Sequence, residues 1–259
     1  MIIINLTGGL GNQMHQYAFG RYLAHTHNTT LKYHFTNALL NTQRYYELHI
    51  FRIQAEEATP DDLRRFGVVT NRQLNRILYL LDDRWGIQLN KHVVTQRYPY
   101  QFDPSYRSLP DDRYVQGYWA DERYFQGVED LLRTDFTLHT PLDDANQTIA
   151  DAMSKTNSVS IHVRRGDYIT NKANLPQFIG EEYYTRALAD IHKKVHDPVY
   201  YIFSDDIPWC KTHFAHLANA HFISHNTGVN SYKDMILMSH CKHHIIANST
   251  FSWWGRWLK

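Results

Sequence analysis

From residue 158 onward, short apolar runs alternate with segments of helical spacing, and this alternation restricts the fold more than any other feature of the chain. Residues 158–164 are a β-branched run and predict a strand. Residues 181–196 place Tyr184, Ala187, Leu188, Ile191 and Val195 on one helical face. Glu181 and Glu182 open that helix, Lys193 and Lys194 close it, and Pro198 stops it, a charge order that suits the helix dipole. Further strands are expected at 199–204, 220–224 and 244–248, and helices at 208–216, 232–241 and from 250 onward. Such a repeat packs as a parallel sheet wrapped by helices, because each crossover lays its helix on a face of the sheet. The fold class is α/β, with ligand sites expected in loops at the carboxyl ends of strands.

The first half is less regular. A strand at 2–6 leads through a glycine-rich turn into a helix over 12–26. From 32 to 106 the pattern is irregular, with short helices expected at 61–66 and 72–81. Residues 114–119 read as a strand and 121–132 as a helix. Residues 135–157 are polar and contain Pro141, which places the domain boundary there and gives domains 1–145 and 146–259.

Composition excludes several classes. With 43% hydrophobic and 20% charged residues the chain is not disordered. Lys and Arg number 27 against 26 Asp and Glu, so neither a nucleic-acid surface nor an acidic tail is indicated. Two cysteines, Cys210 and Cys241, make no disulfide framework and fit a reducing compartment. The apolar run after Met1 is strand-length and lacks the basic region of a secretory leader, and no stretch approaches the roughly 20 apolar residues of a membrane span. A soluble cytoplasmic protein is expected.

Four segments can carry chemistry. Gly8-Gly9-Leu10-Gly11-Asn12-Gln13 joins a strand to a helix, where backbone N–H groups can meet an anion; the other reading is a glycine turn capped by Asn12. It has neither the third glycine of a dinucleotide fingerprint nor the Gly-Lys-Ser/Thr of a P-loop. His162-Val163-Arg164-Arg165-Gly166-Asp167-Tyr168 runs off a strand end, with two arginines facing opposite ways. One guanidinium can grip phosphate while the other holds the loop, or the pair forms a surface ion-pair cluster. Asp167 can orient an arginine or act as a base. Ser204-Asp205-Asp206 ends the next strand and offers a carboxylate to a guanine edge or to ribose hydroxyls, or caps the next helix. Asn248-Ser249-Thr250-Phe251-Ser252 offers phosphate donors, or plain N-capping by Ser249 or Thr250. No Asp-x-Asp occurs anywhere in the sequence, so the usual metal–diphosphate clamp is missing. His240-Cys241-Lys242-His243-His244 has no second ligand pair at zinc spacing, so no metal is expected.

Taken together, these blocks resemble glycosyltransferase family 11, the bacterial α-1,2-fucosyltransferases. The resemblance rests on 8–14 with 16–20, Gly117-Tyr118-Trp119, 162–168, Phe203 to Asp206, and Asp234-Met235 through Trp254-Gly255, in order along nearly the whole chain. It implies a GT-B-like fold with two Rossmann-like domains facing a cleft. It implies inverting transfer of L-fucose from GDP-fucose to the 2-hydroxyl of a terminal β-galactoside glycan acceptor, in surface-polysaccharide synthesis, with no metal or other cofactor. Arg164 and Asp167 would be catalytic, Arg164 on the β-phosphate and Asp167 as base. The donor set implied is Gly11, Asn12, Gln13, His162, Arg164, Arg165, Asp205, Asp206, Asn248, Ser249, Thr250, Phe251 and Ser252. A lipid-linked acceptor would bring the protein to the cytoplasmic side of the inner membrane as a peripheral partner. There are two departures. The family usually has Phe where His15 stands, and its members usually run on beyond the Trp-Trp-Gly segment, so the C-terminal domain is expected to be shortened. The alternatives are a truncated, non-catalytic GDP-sugar or glycan-binding homologue, or a fucosyltransferase of another linkage.

Overall fold

The apolar run that opens the chain becomes the centre strand of a sheet. In this computed structural model, which describes residues 1–36, 45–68, 90–170 and 179–259 apart from the side chains of Asp167 and Thr170, all five residues of β1 (Ile2–Leu6) are buried. A strand covered on both faces is apolar on both. The helix expected at 72–81 lies outside the described residues. The chain divides into two compact units, Met1–Thr140 and Pro141–Lys259.

The first unit contains β1, α1 (Leu10–Thr26), β2 (Leu31–Phe35), β3 (Glu56–Glu57), α2 (Pro60–Arg65), β4 (Val93–Thr95), β5 (Arg113–Gln116) and α3 (Glu129–Asp135). Its sheet runs β3-β2-β1-β5-β4, with every pairing parallel. Three of these strands lie in the stretch expected to be irregular. They are short, and Lys32, His34, Glu56 and Glu57 interrupt their apolar pattern. Helix α1 starts at Leu10 with Gly9 as its cap, so Asn12 sits inside the first turn rather than capping it. The helix expected at 121–132 is a 3₁₀ turn, Glu122–Tyr124, followed after Gly127 (φ +103°) by α3. The strand expected to reach 119 stops at Gln116, and Trp119 adopts φ +52°.

The second unit contains α4 (Asp144–Lys155), β6 (Asn157–Val163), α5 (Gly166–Thr170), α6 (Glu181–Lys194), β7 (Pro198–Ser204), α7 (Ile207–His213), β8 (Ala220–Ile223), α8 (Tyr232–His240), β9 (His243–Ile245) and α9 (Thr250–Trp257). Its sheet runs β8-β7-β6-β9, again all parallel. Val159, Ile161 and Val163 pack with Tyr184, Leu188 and Phe214 in one apolar cluster. Tyr201 and Phe203 pack with Met153, Leu237 and Met238 in another. Residues 135–157 hold a helix, not only a linker. Asp143 caps α4 by accepting from Asn146 N at 3.0 Å, so a boundary after 145 would cut its first turn.

In each sheet the strand order reverses once, between β1 and β5 in the first unit and between β6 and β9 in the second. Open parallel sheets bind ligands beyond their carboxyl ends at such a reversal. The glycine-rich segment leaves β1 and the Gly117-Tyr118-Trp119 segment leaves β5. The paired arginines leave β6, and the Asn248–Ser252 segment follows β9.

Candidate functional site

The second unit carries the denser cluster. Arg164 and Arg165 follow the last residue of β6 and diverge as extended backbone requires. Arg164 Nη1 pairs with Asp205 Oδ2 at 3.0 Å. Arg165 Nε pairs with Asp206 Oδ2 at 3.1 Å, and its guanidinium lies 4.0 Å over the Trp209 ring. Asp205 does more than pair. Its Oδ1 accepts from Arg165 N at 2.9 Å and its Oδ2 from Gly166 N at 3.1 Å. A Cβ on residue 166 would stand 2.8 Å from Asp205 Oδ2, so only glycine admits the carboxylate this closely. One carboxylate from the end of β7 thus holds three groups of the loop after β6. Asp206 Oδ1 accepts from Trp209 N at 3.1 Å and caps α7.

Of the two readings for this segment, Asp206 takes the helix cap, and both carboxylates also pair with the arginines and their loop. Arg164 keeps 30% of its side chain exposed, against 18% for Arg165, so it is the more open of the two to a ligand. Asp167 lies in α5, but its side chain is outside the described residues.

His162 sits two residues before Arg164 in the chain, 6% exposed, with its ring 5.7 Å from that of Phe251. Its Nδ1 is buried without a hydrogen-bond partner among the described residues. Burial, then the charge of Arg164, pushes its pKa down to about 3, so the imidazole is neutral at physiological pH. Beyond β9, the Asn248 carbonyl accepts from the Tyr168 hydroxyl at 2.8 Å. Ser249 Oγ accepts from Phe251 N at 3.3 Å and caps α9. Ser252 is fully buried, and its hydroxyl donates to the Ser249 carbonyl at 3.3 Å. Ser249 takes the N-capping reading of this segment, and the Ser252 hydroxyl closes the same turn. Thr250 is the first residue of that helix.

In the first unit, Gly11 and Asn12 lie in the first turn of α1. Gln13 is fully buried. Its Nε2 donates to the Gly8 and Tyr45 carbonyls at 2.9 and 2.8 Å, and its Oε1 accepts from Glu47 N at 3.0 Å. Gln13 therefore braces the glycine loop. Gln16 does similar work, accepting from Thr7 N at 2.9 Å and donating to the Gly117 carbonyl at 3.0 Å. His15 is buried and its pKa falls to about 4, chiefly by desolvation. The neutral ring donates from Nδ1 to the Gly11 carbonyl at 2.9 Å and meets Phe125 edge-on.

A polar network that no local sequence pattern indicates joins Asn146, Asn226 and Asp234. Asn226 Nδ2 donates to Asp234 Oδ1 and to Asn146 Oδ1, both at 2.8 Å, and Asn146 Nδ2 donates to Asp143 at 3.0 Å. This network ties α8 to α4 at the carboxyl edge of the sheet. Burial raises the Asp234 pKa from 3.8 to about 7, against the lowering effect of the Asn226 bond. Its folded form holds a proton that the unfolded chain releases, so its contribution to stability is full below the ordinary aspartate range and is lost as pH rises through about 7. Denaturant titrations across that window should show wild type losing stability relative to Asp234→Asn, by up to roughly 1.4 kcal/mol per pH unit. Parallel curves would contradict a buried, protonated Asp234.

Among the described residues no group of three His, Cys, Asp or Glu side chains is placed to hold a metal ion. None of the described helices is long and apolar enough to cross a membrane.

A family model described as Glycosyl transferase family 11 matches residues 1–259. The chain belongs to glycosyl transferase family 11. An alpha-1,2-colitosyltransferase of Escherichia coli is 34% identical, covering 100% of this chain and 88% of that protein. The O-antigen biosynthesis glycosyltransferase WbnK of Escherichia coli is 31% identical over 98% of this chain and 88% of its own length. A galactoside alpha-(1,2)-fucosyltransferase 1 of Leontocebus fuscicollis is 27% identical over 56% of this chain and 42% of that protein. Among solved structures, the fucosyltransferase NodZ from Bradyrhizobium superposes with a TM-score of 0.56 at 12% identity, covering 98% of this chain and 91% of that one. The family 11 chain has the α/β, GT-B-like fold of that enzyme.

Proposed function

We propose that this family 11 chain transfers L-fucose from GDP-fucose to the 2-hydroxyl of a terminal β-galactoside, with inversion and without a metal ion. The observation that carries the reading is Arg164, clamped by Asp205 at the strand-order reversal of the second sheet and still partly exposed. In the reaction the bond from the sugar's anomeric carbon to the β-phosphate oxygen breaks, and GDP leaves with the electron pair. Negative charge grows on that oxygen, and a fixed guanidinium stabilises it as it forms. The acceptor oxygen attacks the opposite face of the anomeric carbon and gives its proton to a base. Asp167, next to the Arg164–Gly166 turn in sequence, is our candidate base.

Asp167→Asn should cut transfer by about 10²–10³ with GDP binding intact. Survival within about tenfold of wild type would remove Asp167 from that role.

The relatives support an α-1,2 linkage and leave a second donor reading, since one is named a colitosyltransferase. The test is to incubate the protein with lactose and either GDP-fucose or GDP-colitose, then read released GDP and the product linkage by NMR. Fucosyl-α-1,2-galactose from the first donor is the expected product. Transfer from GDP-colitose alone would replace the donor. GDP binding with no transfer from either donor to any β-galactoside would favour a non-catalytic binding protein.

A further inference from the structure

In the first unit two stacked aromatic rings meet at the surface, Tyr100 exposed and Tyr118 half-buried. Tyr98 and Tyr100 are 60% and 77% exposed, and the Tyr100 ring stacks on Tyr118 with centroids 6.1 Å apart and planes 18° from parallel. Both tyrosines follow β4, and Tyr118 follows β5, so the rings stand at the carboxyl edge of the sheet beside the β1–β5 reversal. An exposed ring gains little from the fold, and exposed apolar clusters mark binding surfaces.

The pedestal beneath the rings is tied down. Gln96 is buried, and its Oε1 accepts from Tyr118 N at 2.9 Å and Trp119 N at 3.0 Å, joining the loop after β4 to the loop after β5. A Cβ on residue 117 would stand 2.5 Å from Gln96 Cβ, so glycine alone permits the two loops to approach this closely. The Tyr124 hydroxyl, accepting from Asp103 N at 3.0 Å and donating to the Gln101 carbonyl at 3.2 Å, holds the far side of the Tyr98–Tyr100 turn. The stacking surface is therefore presented before any ligand arrives, which lowers the ordering cost of binding.

We infer that the Tyr100–Tyr118 stack is the platform for the acceptor's terminal β-galactose. The inference rests on the transferase reading above and supplies its acceptor side. The axial 4-hydroxyl of galactose leaves the hydrogens on carbons 3, 4 and 5 on one face. That apolar face matches an aromatic ring, while the equatorial 2-hydroxyl stays at the sugar's edge, open to a donor. The platform binds an uncharged pyranose by this face rather than by ion pairs.

Steady-state kinetics with lactose and GDP-fucose test it. Tyr100→Ala should raise the KM for lactose about tenfold while the KM for GDP-fucose moves less than about twofold. Tyr100→Phe keeps the ring and should restore the lactose KM. An unchanged lactose KM in Tyr100→Ala, or an equal rise in both KM values, would overturn the inference. Saturation-transfer NMR with methyl β-galactoside and no donor separates the inference from the transferase reading. Saturation of the hydrogens on carbons 3, 4 and 5 by wild type, lost in Tyr100→Ala, would uphold the platform even without turnover. No saturation by wild type would overturn it even with turnover.

Discussion

Arg164→Ala is expected to lower kcat by about 10²–10³, the usual cost of removing one charge-stabilising donor from a transition state. The KM for GDP-fucose should rise less, because the guanidinium acts chiefly on charge that appears as GDP departs. Arg164→Lys should recover little. The Arg164 side chain lies beside Asp205, with Nη1 on Oδ2 at 3.0 Å, and a lysine keeps the charge without the planar fork that can meet a carboxylate and a phosphate together. The side chain is 30% exposed, so the variant should fold with nearly wild-type stability, and the loss belongs to chemistry. A kcat within about threefold of wild type would mean that another group carries the leaving diphosphate.

The second large effect is expected at Asp205. Asp205→Ala removes the partner of Arg164 and the acceptor of two backbone N–H groups, those of Arg165 and Gly166. Arg164 then loses its fixed direction, and a displacement of about 1 Å at such a group costs on the order of 10²-fold in rate. The pair is solvent-accessible, so the loss of stability should stay near about 1 kcal/mol. This pattern, a large fall in kcat with a small shift in Tm, separates positioning from folding. Asp205→Asn keeps one acceptor oxygen and should fall between wild type and alanine. If Asp205→Ala instead raised the KM for GDP-fucose with kcat preserved, Asp205 would be contacting the nucleotide rather than aiming the arginine.

The second sheet was legible because its strands and helices differ in period. β7 was expected at 199–204 and spans Pro198–Ser204, and β8 was expected at 220–224 and spans Ala220–Ile223. The flanking strands of the first sheet were not legible. β2 is mostly half-exposed and β3 is two exposed glutamates, so neither shows the pattern of a buried strand. The helix α4 was hidden because Ala150 and Met153 are its only fully buried apolar residues, set among Asp, Asn, Gln, Thr and Ser in a run that contains Pro141 upstream.

At the site, the divergence of the two arginines followed from strand geometry alone. The partners of the polar groups did not. Composition names donors and acceptors, but Asp205, Gln13 and Ser252 each found backbone groups that only the folded loop brings near. The Asn146–Asn226 bond joins residues 80 positions apart, beyond the reach of any local pattern.

In the proposed reaction protein cations, Arg164 foremost, neutralise the departing diphosphate in place of a metal. The direct measurement is the initial rate of fucosyl transfer from GDP-fucose to lactose in excess EDTA, compared with the rate in Mg²⁺ or Mn²⁺. Equal rates and the same α-1,2 product are expected in all three. A rate abolished by EDTA and restored by either cation would contradict this reading.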